Sequence, residues 1–203
     1  MKIPYYNVDG VSTCPLGFAM SQNRMAVPIW SHAFEIHPPR RVLELGTAGG
    51  GFTTALAVHA WNLEPRAAVH TWDFCLPSEK YAPLAAFLGV HFHVADIWES
   101  EAEIRQLIAS PGVTYLLCDG GDKARELATF ASSCKPGDII AAHDYDTFAD
   151  AGAHAVRMEA RPWQWHEITS AHGDAVAAAH NLESWRQDVF DDAGWLVYRK
   201  RAA

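Results

Sequence analysis

Cysteine and basic residues are scarce in this sequence, and each shortage argues against a class of protein. The 203 residues include four cysteines, with no CxxC pair and no short regular spacing, which argues against a zinc module or a disulfide scaffold. Free thiols in a reducing compartment are the simplest interpretation. Lys and Arg number 16 against 24 Asp and Glu, a formal net charge of −8, so we expect no nucleic-acid partner.

Long apolar runs are missing as well. No stretch approaches the ~18 apolar residues of a membrane-spanning helix, and the opening "MKIPYYNVDG" lacks the apolar core of a signal peptide. We therefore expect a cytoplasmic protein with no membrane partner. Hydrophobic residues at 49% and charged residues at 20% are typical of globular proteins. The length suits a single domain over 1–203.

Apolar strand candidates alternate with helical segments through the middle of the chain. The strand candidates are 41–45, 68–73, 90–95, 113–119 and 138–144, and the helical segments are 52–61, 81–88, 99–109 and 122–133. Strand–helix–strand units of this length predict a parallel sheet that helices cover on both faces. The sequence therefore predicts an α/β fold with a Rossmann-like, doubly wound, mostly parallel sheet.

The N-terminal part of the chain lies outside this alternation. Residues 1–38 are expected to form an N-terminal helical cap segment, with an amphipathic helix over 29–36 that Pro38 and Pro39 stop. The stretch 17–25 could close one side of a site, contact an acceptor molecule or form the surface of a homo-oligomer.

The C-terminal part changes pattern after residue 146. A helix is predicted over 148–160, followed by closing strands "WQWHEIT" (163–169) and "GWLVYRK" (194–200). These would bring the sheet to seven strands with an antiparallel final strand. The long connection 170–193 predicts a lid or contact loop, because loops of this length in compact domains are often functional.

A glycine-rich loop follows the first strand of the alternation. In "RVLELGTAGGGFTTALA", Gly46, Thr47 and Gly49 lie between a strand and a helix, where glycine allows tight turns and the helix N-terminus offers free N–H groups. A dinucleotide-binding G-x-G-x-x-G loop would need glycine at position 48, which is alanine. A nicotinamide-dependent oxidoreductase is therefore disfavoured. Glu44 suits a positively charged ligand better than a pyrophosphate.

"VLELGTAGGG" resembles motif I of the class I S-adenosylmethionine (SAM)-dependent methyltransferases, (V/L)LE(L/I)G(T/C)GxG, with Ala48 at a position that is often glycine. The resemblance implies that SAM binds at Glu44, Gly46, Thr47 and Gly49.

Two further acids match positions of this family. Asp73, at the end of the second strand, would bind the ribose hydroxyls, and Asp96, after the third strand, would lie near the adenine amino group, with Ile97 or Trp98 covering the ring. An Asp at a strand end is also an ordinary helix cap.

The segment "TYLLCDGGDKARELATFASSCKPGDIIAAHDYD" resembles the metal-dependent O-methyltransferases of the catechol type. It is more similar to the sugar and macrolide O-methyltransferases and to the cephalosporin hydroxylase-like group. The resemblance places Asp119 at the end of strand four, beside both cofactor and metal, and places His143 and Asp144 at the end of strand five. It covers residues 40 to 146.

The expected geometry favours a cation at these residues. Neighbouring parallel strands lie ~5 Å apart, so Asp119 and Asp144 can converge at the sheet edge where ligands bind. A divalent ion would remove their mutual repulsion. Oxygen ligands suit Mg²⁺ first, whereas ligation by His143 would favour Mn²⁺ or another transition metal. Alternatively His143 faces away, because consecutive strand residues point to opposite faces.

The resemblance implies methyl transfer to a hydroxyl of a small molecule, with sugar-like or secondary-metabolite acceptors first. Catechol-type enzymes use a Lys three residues after the strand-four Asp as the base; here that position is Asp122, followed by Lys123. Either could accept or relay the proton, or Asp122 could cap the next helix with Lys123 exposed. The alternative function is a SAM-binding protein without methyltransferase activity.

Overall fold

The computed structural model describes residues 6–8, 11–13, 18–20, 22, 25–77, 79–146 and 168–202. The strands within these ranges are β1 (Tyr6–Val8), β2 (Val11–Thr13), β3 (Ala19–Met20), β4 (Arg41–Leu45), β5 (Ala68–Asp73), β6 (Val90–Val94), β7 (Thr114–Cys118), β8 (Ile139–His143), β9 (Tyr145–Asp146), β10 (Ile168–Thr169), β11 (Leu182–Ser184) and β12 (Trp195–Lys200). The α-helices are α1 (Ala26–Ile36), α2 (Gly51–Trp61), α3 (Tyr81–Leu88), α4 (Glu101–Ala109), α5 (Lys123–Phe130), α6 (Ser170–His180) and α7 (Gln187–Phe190).

The main sheet has seven strands in the order β11-β12-β8-β7-β4-β5-β6. Strands β4 to β8 run parallel to one another, whereas β12 pairs antiparallel with β8 and β11 antiparallel with β12. The predicted Rossmann-like, mostly parallel seven-stranded sheet is confirmed. The carboxyl ends of β4, β5, β7 and β8 all lie at one edge, which is where the candidate site forms.

Helices cover both faces of this sheet. Every residue of β4, β7 and β8 is buried, which explains why these strands are continuous apolar runs instead of alternating ones. One apolar cluster packs α1, α2 and α7 on one face, and a second packs α4, α5 and α6 on the other. None of the described helices is long and apolar enough to cross a membrane.

The N-terminal segment contains more strand than expected. Strands β1, β2 and β3 form a small antiparallel sheet ahead of the first helix. Helix α1 begins at Ala26, three residues before the predicted start, and ends at Ile36, ahead of the two prolines that were expected to stop it. Pro28 is accommodated because it lies in the first turn, where its missing N–H has no helical partner to lose.

The connection over 170–193, expected to be a lid or contact loop, contains regular secondary structure. Helix α6 occupies 170–180, where the alanine-rich segment favours a helix. Asn181 ends it in the left-handed conformation, at φ 51°. Strand β11 and helix α7 follow. The hydrophobic pattern did not predict α6, because its alanines do not form the amphipathic stripe that marks a helix.

The two closing strands need a similar correction. Strand β12 confirms the prediction over 194–200, but its sheet neighbour on the outer side is β11 and not the segment 163–169. Of that segment, residues 168 and 169 form β10, which pairs in parallel with β9 outside the main sheet. The helix predicted over 148–160 and the remainder of 163–169 lie outside the described residues.

Candidate cofactor and cation site

The glycine loop turns sharply between β4 and α2. Gly46 has φ 96° and Gly50 has φ 76°, both in the left-handed region that glycine adopts without strain. A Cβ at Gly46 would also clash with the backbone carbonyl of Asp119. Ala48 has φ 46°, a left-handed conformation that costs a residue with a Cβ roughly 1–2 kcal/mol.

Asp73 braces this loop. Its Oδ2 accepts hydrogen bonds from the backbone N–H of Thr47 at 3.1 Å and of Ala48 at 2.8 Å, and its Oδ1 accepts one from Phe74 at 2.7 Å. A carboxylate has about four acceptor positions, so about one remains for a ribose hydroxyl. The predicted ribose ligand is thus also a structural part of the loop.

Glu44 lies fully buried beneath the loop. Its Oε2 accepts hydrogen bonds from the hydroxyls of Thr53 at 2.5 Å and Thr71 at 2.7 Å. Burial raises the pKa of Glu44 to about 8, against the opposing effect of the two threonine hydrogen bonds. At neutral pH the side chain is therefore mostly protonated until a positive charge is brought beside it.

A small cavity, about 20 Å³ in volume, is lined by most of the predicted cofactor residues. Its walls include Glu44, Gly46, Thr47, Gly49 and Asp119, and part of its lining comes from the N-terminal segment, at Ala19, Met20 and Gln22. The remaining predicted residues, Asp73 and Asp96, do not line this cavity.

Asp96 behaves as a turn residue in this structure. Its Oδ1 accepts a hydrogen bond from the N–H of Trp98 at 2.9 Å, and its carbonyl accepts one from Ser100 at 3.0 Å. The ring of Trp98 stacks on Phe130 and lies under the guanidinium of Arg125, 3.8 Å from its centroid. Trp98 is therefore held by protein groups and does not present the open ring face expected of an adenine cover.

Asp119, His143 and Asp144 come together at the ends of β7 and β8, and we name them the Asp–His–Asp cluster. One potential ligand atom from each lies within 4.8 Å of the others. Nδ1 of His143 lies 2.9 Å from Oδ1 of Asp119 and 3.5 Å from Oδ1 of Asp144. Asp144 has φ 57°, which breaks the strand alternation. The alternative in which His143 faces away from the acids is therefore wrong.

The charge state of His143 depends on its two neighbours. Burial alone would lower the pKa of His143, but the charge and hydrogen bond of Asp119, together with the charge of Asp144, raise it above its ordinary value. The acids thus stabilise an imidazolium when no other cation is present. The indole of Trp195 packs against the imidazole, with 4.9 Å between ring centroids.

Lys123 lies buried beside this cluster, contrary to the interpretation that it would be exposed. Its side chain is 3% exposed, and Nζ lies 3.2 Å from Oδ2 of Asp144 and 4.0 Å from Oδ1 of Asp119. Nζ also donates to the carbonyl of Gly120 at 2.8 Å. Asp122 caps α5, accepting from the N–H of Arg125 at 3.1 Å, so the cap interpretation of Asp122 is confirmed.

Sequence reasoning missed Glu126 and Gln22, which both support the site. Glu126 is buried and accepts hydrogen bonds from the N–H groups of Gly120 and Asp122, each at 3.2 Å. Burial raises its pKa to about 7. An acid in the first turn of α5 was the available signal. Nε2 of Gln22 donates to Oδ2 of Asp119 at 2.5 Å; 97 residues separate the two, so no local pattern could have linked them.

The donor set suits a divalent cation. Two carboxylates and an imidazole converge, and among the residues that the structure describes no other group of this kind is found. Hard oxygen donors suit Mg²⁺ or Mn²⁺, and the imidazole is compatible with Mn²⁺ or another transition metal. The ammonium of Lys123 already neutralises part of the acidic charge, so a cation would share Asp144 with it.

Comparison with known proteins finds similarity in solved structures. No protein-family profile matches the chain, and no curated protein matches it. CmcI in its N160 form with SAH superposes with a TM-score of 0.63 at 13% identity, over 97% of this chain and 86% of that one. CmcI in its D160 form with Mg and SAM gives a TM-score of 0.63 at 15% identity, over 92% of this chain and 75% of that one.

A caffeoyl-CoA O-methyltransferase-like protein from Staphylococcus aureus gives a TM-score of 0.60 at 13% identity, over 88% of this chain and 84% of that one. At these identities the similarity demonstrates the fold. The chain shares the Rossmann-like α/β fold of these proteins, as the order of its strands and helices predicted.

Proposed function

We propose that this chain is a SAM-dependent methyltransferase that methylates a hydroxyl of a small molecule with the help of a divalent cation. The observation that carries the proposal is the contact between the two halves of the site. Gly46 of the glycine loop packs against the backbone of Asp119, whose carboxylate belongs to the Asp–His–Asp cluster. A methyl donor in the loop and an acceptor at the cluster would therefore be neighbours.

The cofactor would lie against the glycine loop, because the cavity beside the loop, about 20 Å³, has room for no more than a water. Gly46, Thr47 and Gly49 would approach its amino-acid part, and Glu44 would face its positive charge from below. Asp73 would accept from the ribose, and Asp96 would lie toward the adenine. The magnesium and SAM present in one CmcI structure support this assignment.

Asp119, Asp144 and His143 would hold the cation, with Mg²⁺ the first candidate and Mn²⁺ the second. When bound, such an ion lowers the pKa of an acceptor hydroxyl and orients its oxygen. The acceptor class we propose is a sugar-like or secondary-metabolite hydroxyl, as the sequence resemblance implies.

Methyl transfer needs a group that removes the acceptor's proton. The acceptor oxygen bonds to the methyl carbon, the carbon–sulfur bond breaks with its electron pair going to sulfur, and the hydroxyl proton leaves. We assign the role of base to Lys123. It would take the proton directly or through Asp144, because Nζ lies 3.2 Å from Oδ2 of Asp144. This role requires the neutral amine, so the rate should rise with pH. Asp122 is the less favoured candidate, since its carboxylate caps α5.

A SAM-binding protein without transferase activity is the second candidate. In such a protein the ammonium of Lys123, 3.2 Å from Asp144, would balance the acids without a metal ion. Its cofactor site would be the same, so the two candidate functions differ only in whether an acceptor molecule is bound and methylated.

Two measurements test the proposal. Calorimetric titration should show binding of SAM and none of NAD; the reverse result would contradict a methyltransferase site. Transfer of labelled methyl groups to a panel of phenols, catechols and glycosides should fall about 100-fold or more with EDTA or with Asp144→Ala. The exposed Asp192→Ala is the matched control. Full activity with EDTA and with Asp144→Ala would exclude the cation, and inactivity across the panel would favour the second candidate.

A further inference from the structure

Gln22 reaches the Asp–His–Asp cluster from the N-terminal segment. The side chain is buried, with 7% of the residue exposed, and it lines the cavity beside the glycine loop. Its Nε2 donates to Oδ2 of Asp119 at 2.5 Å and lies 3.4 Å from Nδ1 of His143. Gln22 therefore contacts two of the three members of the cluster.

Trp195 determines which way this amide points. The indole Nε1 carries a hydrogen and can only donate, and it lies 3.0 Å from Oε1 of Gln22. The oxygen of the amide must therefore face Trp195, which leaves the NH₂ group facing Asp119. The reversed amide would place two donors against each other at the indole and an oxygen against a carboxylate.

The same tryptophan also packs on His143. Trp195 is the register partner of His143 across β12 and β8, and their ring centroids lie 4.9 Å apart. The position of the imidazole and the orientation of Gln22 thus depend on one buried side chain. Together they hold Asp119 through both of its oxygens, with Gln22 at Oδ2 and His143 at Oδ1.

An amide NH₂ group donates hydrogen bonds and does not ligate a cation. Gln22 in this orientation leaves Oδ1 of Asp119 as the oxygen that faces His143 and Asp144. Groups that orient metal ligands in this way typically change metal affinity 10–100-fold when they are removed.

We propose that Gln22, oriented by Trp195, is a positioning residue of the cation site that holds the Asp119 carboxylate ready for a divalent ion. This inference rests on the proposed function, because it assumes that the Asp–His–Asp cluster binds a cation. It adds to that function a residue from the N-terminal segment. Ala19 of the same segment lies against Gly49 and Gly51 of the glycine loop.

Titration of the full chain with Mn²⁺ alone tests the inference. Gln22→Met keeps the length of the side chain and removes the donor, so the dissociation constant should rise about 10–100-fold. The electron paramagnetic resonance spectrum of any bound Mn²⁺ should change with it. The exposed Gln106→Met is the matched control and should bind Mn²⁺ as the wild type does. Thermal unfolding of each variant reports whether it is folded.

Trp195→Phe provides a second variant that keeps a ring against His143 and removes the Nε1 donor. It should also weaken Mn²⁺ binding. If Gln22→Met does not fold, Trp195→Phe tests the inference in its place. A folded Gln22→Met with wild-type Mn²⁺ affinity and an unchanged spectrum would overturn the inference while leaving the proposed function intact. Absence of Mn²⁺ binding to the wild type would overturn the cation site itself.

Discussion

Glu44 is a residue whose ionisation depends on its burial. Its carboxyl is buried, lines the cavity beside the glycine loop and has a pKa raised to about 8 by burial. The unfolded chain releases this proton near pH 4.5, whereas the folded chain keeps it up to about pH 8. Between these values the unfolded state binds fewer protons, so the contribution of Glu44 to stability falls as pH rises.

Glu44→Gln should remove this dependence. We expect the free energy of unfolding of the wild type to fall, relative to the variant, by at most about 5 kcal/mol between pH 4.5 and pH 8. Urea unfolding of both proteins across this range measures the difference, in which the titration of all other groups cancels. A difference that stays constant with pH would show that Glu44 is ionised throughout.

Two residues with left-handed backbone conformations, Gly46 and Asp144, also shape the candidate site. The turn at Gly46 was predictable because glycine in a strand–helix loop indicates a positive φ. The positive φ of Asp144 was not, since aspartate adopts this conformation less often and no local signal marks it. That one dihedral angle breaks the strand alternation and brings Asp144 to the same side as His143.

At the scale of elements, the edge strand β6 depends on a stack of histidines. His70 on β5 stacks on His91, with 4.4 Å between centroids, and its Nδ1 lies 3.2 Å from Nε2 of His93. Burial, followed by the neighbouring histidines, lowers the pKa of His70 to about 4. Burial also lowers the pKa of His93, against the opposing charge of Glu103 at 3.7 Å.

Acid should therefore loosen β6 before the rest of the sheet. Because the folded pKa of His70 lies below its ordinary value of 6.5, its neutral form stabilises the fold above pH 6.5, and this stabilisation is lost as pH falls toward 4. Hydrogen-exchange protection of the amides of Val90–Val94 should drop in this window, after correction for intrinsic rates. His70→Phe keeps a stacked ring that cannot be protonated and should retain protection; an equal drop in that variant would exclude His70 as the cause.

At the scale of the whole molecule, an aromatic cluster around Trp30 joins distant parts of the described chain. This side chain on α1 is fully buried and packs on Tyr115 of β7, Phe190 of α7 and Trp195 of β12. It connects the N-terminal helix and the C-terminal elements to the central sheet. Since Trp195 also contacts His143, the same packing supports the candidate site.

Trp30→Ala should lower the free energy of unfolding by about 3–5 kcal/mol. Trp30→Phe should cost less, because the indole Nε1 has no hydrogen-bond partner to lose. Trp61, which is 37% exposed and stacks on Phe87 and Arg66, supplies the control. Trp61→Ala should cost about 1 kcal/mol or less. Chemical denaturation compares the three variants, and equal losses for Trp30→Ala and Trp61→Ala would contradict this account.

The sequence alone determined the fold class and the outline of the site. The order of apolar strands and helices between residues 41 and 144 led to the parallel sheet, because buried strands and the helices between them carry distinct patterns. The same order placed Asp119 and Asp144 at adjacent strand ends, where the structure brings them together. The segment 170–193 was misassigned because alanine-rich helices carry a weak periodic signal.

Only the tertiary structure decided how the site is completed. The contact of Gln22 with Asp119 joins residues 97 positions apart, Lys123 is held by the carbonyl of Gly120, and the direction of Asp144 depends on its own left-handed backbone. Local sequence patterns report periodicity and turn preference over a few residues. Contacts between distant segments depend on how the elements pack, so the residue types were visible in the sequence but their partners were not.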